Sequence, residues 1–170
     1  INLILVFLFG SQHSIMARPN FKQWWTQQIP MAAERSTYVF SSAIALSTLL
    51  YFWQPMQITI WSVNNIGLKY LIWLLFVCGW IYFFLSTFAI NHFDLFGLRQ
   101  VYLYWKGESY QELPFMKRWM YHFNRHPIQT GLLIGIWATP YMELDHLILS
   151  TTFTFYILIG LALEERDLIN

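Results

Sequence analysis

With 170 residues, of which 56% are hydrophobic, 20% aromatic and only 11% charged, the chain carries a formal net charge of +1 at pH 7, and its mean hydropathy is +0.40. So apolar a composition excludes an ordinary soluble domain, and so small a positive charge excludes a dedicated nucleic-acid binder. The single cysteine, Cys78, sits in an apolar run and excludes both an internal disulfide framework and a cysteine-based metal centre; no metal site is expected.

The first apolar run, residues 1–10, would span only ~15 Å as a helix against a hydrocarbon core of ~30 Å. It reads as part of a first membrane span rather than a signal peptide, because no basic segment precedes it and no small-residue cleavage site follows. Further apolar segments follow at 38–53, 66–90, 128–142 and 147–163. Pro55 closes the second, Asn64, Asn65 and Gly67 precede the third, and 140–145 reads as a tight turn between two helices. The expectation is an all-α, polytopic membrane protein. It has five transmembrane helices, the first of them partial, and a C-terminal helical hairpin, in one domain over 1–170 that is cut short at both ends.

Charge gives this architecture a direction. Nine of the ten basic residues fall in the segments after the first, third and fifth spans: Arg18, Lys22, Arg35, Arg99, Lys106, Lys117, Arg118, Arg125 and Arg166. Cytoplasmic segments accumulate Lys and Arg, so this face and the C-terminus are expected in the cytoplasm, with the chain in the inner or plasma membrane if it is bacterial. Lys69, Glu143 and Asp145 mark the opposite face. Membrane lipid is therefore an expected partner, and nucleic acid is not; the oligomeric state is not readable.

The basic face also collects His13, His92, Asp94, His122, His126, Glu164 and Glu165. Proline favours the first helical position, so Pro127 predicts a helix start with His126 at its cap and Arg125 just outside. The exposed N–H groups and positive dipole end of such a helix, beside Arg125, suit an anion. Gly131, one turn in, would leave the helix surface bare for a ligand. The last apolar segment runs into Glu164 and Glu165, where carboxylates meet the unfavourable end of a helix dipole and call for a cation. An anion site and an acidic pair on consecutive helices suit a zwitterionic ligand with extra positive charge, a pattern that S-adenosyl-L-methionine has.

Taken together, Arg125-His126-Pro127, Gly131, Glu164-Glu165 and Leu168 resemble the cofactor motif of integral-membrane methyltransferases related to isoprenylcysteine carboxyl methyltransferase and phospholipid N-methyltransferases. Gln129 stands where many of those relatives place a tyrosine. A closer resemblance covers most of the chain: residues 12–19 (Gln-His-Ser-Ile-Met-Ala-Arg-Pro), 34–38 (Glu-Arg-Ser-Thr-Tyr) and 91–100 (Asn-His-Phe-Asp-Leu-Phe-Gly-Leu-Arg-Gln) are similar to the methanethiol S-methyltransferase family, itself similar to nurim. The resemblance implies S-adenosylmethionine-dependent methylation of a small thiol, methanethiol, to dimethyl sulfide. It places Arg125, His126, Pro127, Gln129, Gly131, Glu164 and Glu165 at the cofactor, and it implies a Gly/Tyr-rich basic tail after the glutamates. An imidazole titrates near neutral pH, so His13 and His92 are the candidate bases for the thiol proton, with Asp94 positioned to orient or assist. Arg18 and Arg99 read as anchors for loops or lipid phosphates. Two other readings stay open: a nurim-like membrane protein without catalysis, and a haem- or quinone-linked redox protein using the histidines.

Overall fold

The computed structural model describes residues 1–112 and 119–169. Lys117 and Arg118 of the charge pattern, and Asn170, lie outside the described residues. Among the described residues the chain forms eight α-helices, two short 3-10 turns and two short strands. The helical expectation holds; the strands are a departure from it. The residues group into two compact units, each built from separate stretches of chain: Ile1–Trp53 with Thr87–Phe123, and Gln54–Ser86 with Asn124–Asn170.

In the first unit, α1 (Asn2–Ala17) packs against α3 (Glu34–Tyr51), burying Leu49 and the side chain of Asn2. Arg18 is extended, with φ −72° and ψ 141°, and Pro19 at the first helical position then starts α2 (Pro19–Trp25). Trp25 Nε1 donates to Thr37 Oγ1 at 2.9 Å, tying α2 to α3. Beyond the end of α4 (Ile66–Ile90) come α5 (His92–Leu95) and α6 (Leu98–Lys106). Gly97 joins them at φ +76°, and a Cβ there would lie 2.4 Å from the backbone nitrogen of Ser36. Only glycine serves both the backbone conformation and that close approach. Arg35 reinforces the contact by donating from Nε to the Leu95 carbonyl at 2.9 Å.

In the second unit, Asn65 Oδ1 accepts from the Leu68 N–H at 3.0 Å and caps the start of α4. The helices α7 (Pro127–Trp137) and α8 (Leu144–Ile169) are joined through β2 (Tyr141–Glu143), which pairs antiparallel with β1 (Thr59–Ser62). Met142, opposite Trp61 in this ladder, is fully buried. The segment 140–145 is therefore more than a tight helical turn, because its backbone finds partners far away in sequence. The helices α4 and α7 meet through glycines: a Cβ on Gly131 would come 2.5 Å from Phe83 N, and one on Gly79 would come 2.8 Å from Gly135 N. Such pairs of small residues let helix backbones approach closely. The carbonyl of Ile136 accepts from His146 Nε2 at 2.8 Å and from Ser150 Oγ at 3.0 Å, and Trp137 Nε1 donates to Thr154 Oγ1 at 2.9 Å, knitting α8 to α7.

Two helices, not five, are long and apolar enough to cross a membrane among the described residues: α4, with 25 residues and hydropathy 2.1, and Leu144–Arg166, with 23 residues and hydropathy 1.8. The other three expected spans fall short for separate reasons. The helix α1 has 16 described residues, and α7 has 11, because Pro140 pushes the residue before it out of helical conformation. The helix α3 is polar for a span, carrying Ser36, Thr37, Ser41, Ser42, Ser47 and Thr48. In the two long helices only 17% and 6% of the residues in the most apolar window are buried, unlike the core helices of a water-soluble domain.

Candidate active site

The helix start at Pro127 forms as expected. His126 is the cap residue, Pro127 occupies the first helical position and is fully buried, and Arg125 lies outside, exposed. Asn124 organises this entry. Its Oδ1 accepts from the His126 N–H at 2.9 Å, and its Nδ2 donates to Thr130 Oγ1 at 2.7 Å, while Thr130 itself bonds back to the His126 carbonyl at 2.9 Å. The first intrahelical bond runs from the Thr130 N–H to that carbonyl at 3.0 Å. With the His126 N–H used and none on Pro127, the N–H groups of Ile128 and Gln129 are the donors that helix geometry leaves without an intrahelical acceptor. The sequence signal for Asn124 is slight, an amide side chain three residues ahead of a proline.

Across the helical hairpin, Glu165 Oε1 lies 3.5 Å from His126 Nε2, with the carboxylate side chain 55% exposed and the imidazole 22%. Glu164 is exposed beside it. The acidic pair and the helix start thus meet, but the reason inferred for the acidic pair needs correction. The helix α8 runs on to Ile169, so the glutamates stand more than a turn inside its end. The dipole penalty is confined to the last turn and is small there. Gly131 departs from the expectation of a bare surface, because a Cβ there would lie 2.5 Å from the backbone nitrogen of Phe83 on α4.

The other candidates belong to the first unit. His13, on α1, has Tyr38 Oη 2.9 Å from Nε2 and Ser42 Oγ 3.1 Å from Nδ1, both from α3, and its ring stacks on Phe9 with centroids 5.6 Å apart. His92 lies in a more aromatic setting: Phe88 stacks on it at 4.4 Å and 7°, Phe96 sits at 4.6 Å, and Thr87 Oγ1 is 2.8 Å from Nδ1. Thr87 is only 4% exposed. Asp94 turns to other partners. Its Oδ1 pairs with Arg99 Nη1 at 3.3 Å, its Oδ2 accepts from Tyr110 Oη at 3.0 Å, and its N–H is held by Asn91 Oδ1 at 3.3 Å. Burial, followed by the bond to Asp94, pushes the Tyr110 hydroxyl above its ordinary pKa. Arg99 also donates to the Gln111 carbonyl at 3.1 Å, so it anchors a loop as its position suggested. A side chain bonded to His92 is therefore Thr87, five residues upstream, which the motif around His92 does not single out.

No family model matches the chain, and no solved structure does. Curated relatives do. A methanethiol S-methyltransferase of Mycobacterium tuberculosis is 47% identical over 169 residues, covering 99% of this chain and 69% of that protein. Another from Crocosphaera subtropica is 46% identical, covering 99% of this chain and 66% of its own length. Nurim of Bos taurus is 29% identical over 98% of the chain and 66% of its own length. The chain thus spans about two thirds of the length of the relatives it matches.

Proposed function

Because the chain belongs to the methanethiol S-methyltransferase family, we propose that it transfers a methyl group from S-adenosylmethionine to methanethiol, forming dimethyl sulfide. The observation that carries the cofactor assignment is the 3.5 Å approach of His126 Nε2 to Glu165 Oε1, which brings an anion-favouring helix start and an acidic pair to one place. The donor set fits such a ligand. Arg125 and the N–H groups of Ile128 and Gln129 suit a carboxylate, and Glu164 and Glu165 suit an ammonium or other cation. Pro127 sets the start of α7, and Gly131 holds that helix against α4. When bound, S-adenosylmethionine supplies a methyl group activated by a positively charged sulfur.

The chain's own share of the reaction is to orient the thiol and accept its proton onto an imidazole. His92, in its aromatic setting, is the first choice for that proton; His13, with a hydroxyl on each ring nitrogen, resembles a structural histidine and stands second. Asp94 acts as a positioning residue that ties α5 to α6 and Tyr110.

The protein is, on this reading, an integral helical membrane protein in which α4 and α8 cross the bilayer in the same direction and the chain returns between them through α7, α4 and α8 each being ~35 Å long as a helix against a hydrocarbon core of ~30 Å. Arg166 near the end of α8 and Lys106 and Arg125 ahead of α7 support a cytoplasmic site face. The deciding experiment gives the protein in liposomes methyl-labelled S-adenosylmethionine and methanethiol and collects the headspace. Label in dimethyl sulfide is expected; cofactor binding without volatile product would favour a nurim-like, non-catalytic role.

A further inference from the structure

The helix α6 turns an apolar face outward. Four of its residues, Leu98, Val101, Tyr102 and Trp105, fall at the i, i+3, i+4, i+7 spacing of a single helix face, while half-buried Leu103 lies on the side of Gln100 and exposed Tyr104 on the flank. In a water-soluble protein that face would turn inward. Here Leu98 is 52% exposed, Val101 38%, Tyr102 52% and Trp105 80%, while Gln100, on the opposite side, is only 8% exposed. The inward side is fixed by polar contacts: Gln100 Nε2 donates to the Asp94 carbonyl at 3.2 Å, and Arg99 pairs with the Asp94 carboxylate. The stripe is therefore held outward by the buried side of the helix.

The chain itself indicates what covers it. The helix α6 begins soon after Ile90, where the 25-residue apolar helix α4 ends. From the last turn of α4 into α5 the chain keeps exposing large apolar side chains, with Phe88 at 47%, Ile90 at 37% and Phe93 at 60%. Aromatic rings dominate the stripe, and Lys106 Nζ lies 4.9 Å from the centre of the Tyr102 ring, a cation at the rim of an aromatic face. Tyr and Trp beside a basic residue are what the zone between acyl chains and headgroups selects. We infer that α6 is an interfacial helix lying along the membrane surface, its Leu98–Val101–Tyr102–Trp105 stripe in lipid and its Arg99–Gln100 side gripping Asp94 of α5. This rests on the membrane reading above and adds a partner for this surface: the bilayer interface, next to the short helix α5 that carries His92.

The test uses the full chain with Cys78→Ala, reconstituted in vesicles of phosphatidylcholine and phosphatidylglycerol. A spin label is placed singly at Leu98, Val101, Tyr102, Trp105, Glu108 or Leu74, leaving Arg99 and Gln100 intact. Collisions with oxygen, which concentrates in lipid, are compared with collisions with a water-soluble nickel chelate. The oxygen-to-chelate ratio is expected to be severalfold higher at all four stripe positions than at Glu108, and high at Leu74 within α4. Frequent chelate collisions along the stripe, or protection from both reagents as under a protein cover, would overturn the inference while a lipid-exposed Leu74 kept the membrane reading. A water-exposed Leu74 would overturn both. Methyl transfer is assayed on the same samples, so failure of the proposed activity is read separately.

Discussion

His126 and Glu165 are separated by a whole helical hairpin and yet stand 3.5 Å apart, whereas His92 and Asp94, two residues apart, are gripped by different side chains, Thr87 and the Arg99–Tyr110 pair. The contrast follows from helix geometry. Positions i and i+2 on a helical turn point to different sides, so the short α5 sends the imidazole and the carboxylate apart. Between α7 and α8, in contrast, antiparallel packing brings the start of one helix to the far part of the next. A histidine and a carboxylate close in sequence suggest a dyad; here the spatial pairing is the long-range one. The two regions should accordingly fail in different ways when altered.

The sharpest separation comes from His92→Ala. If His92 takes the thiol proton, turnover should fall by roughly 10²–10⁴, the usual worth of a positioned general base, while affinity for S-adenosylmethionine by calorimetry stays unchanged. His13→Ala serves as the comparison. An equal fall there would show that the two histidines work together; a loss of both binding and folding would mark His92 as structural.

A smaller effect is expected at the other region. Glu165→Gln keeps the shape and removes the charge facing His126, so cofactor affinity should drop about tenfold or more, as a charge-assisted contact of ~1.5–3 kcal/mol is lost. Glu164→Gln should weaken binding less if Glu165 makes the main contact. Unchanged affinity in both variants would remove the acidic pair from the cofactor site and dissolve the comparison.

How much of this could be read from the residues alone depended on whether the deciding signal was local. The helix Ile66–Ile90 and the start of α7 at Pro127 were legible to the residue, because an unbroken apolar run and a proline at the first helical position are local features. The continuation of α8 past the glutamates was not, since the switch from apolar to charged residues at Glu164 looks like a helix end although Glu, Arg and Leu all favour helix. The strands β1 and β2 were invisible as well. Segments of four and three residues acquire strand structure only by pairing with each other across the intervening chain. A glycine such as Gly131 signals only the space it leaves, and the fold decides that Phe83 fills it. Thr87 gives no signal of its own, because it sits inside an apolar run, where a threonine ordinarily bonds back to its own helix.

Thr87 supplies the finest test of the comparison. For Nε2 of His92 to receive a proton, Nδ1 must carry one, and the Thr87 hydroxyl at 2.8 Å is then its acceptor, holding the ring in that tautomer. Thr87→Val preserves the volume of a side chain that is only 4% exposed and removes the hydroxyl, whereas Thr87→Ser keeps the hydroxyl and removes a methyl group. If the hydrogen bond matters, Thr87→Val should lower kcat about two- to tenfold, the equivalent of one net hydrogen bond of ~0.5–1.5 kcal/mol, with KM for methanethiol and cofactor affinity little changed. Thr87→Ser should then retain near-normal turnover. The reverse order, a normal valine variant and a damaged serine variant, would mean that Thr87 contributes only packing. The orientation of His92 would then rest on the Phe88 and Phe96 rings, and the difference from the His126–Glu165 region would lie in aromatic packing rather than in the choice of polar partner.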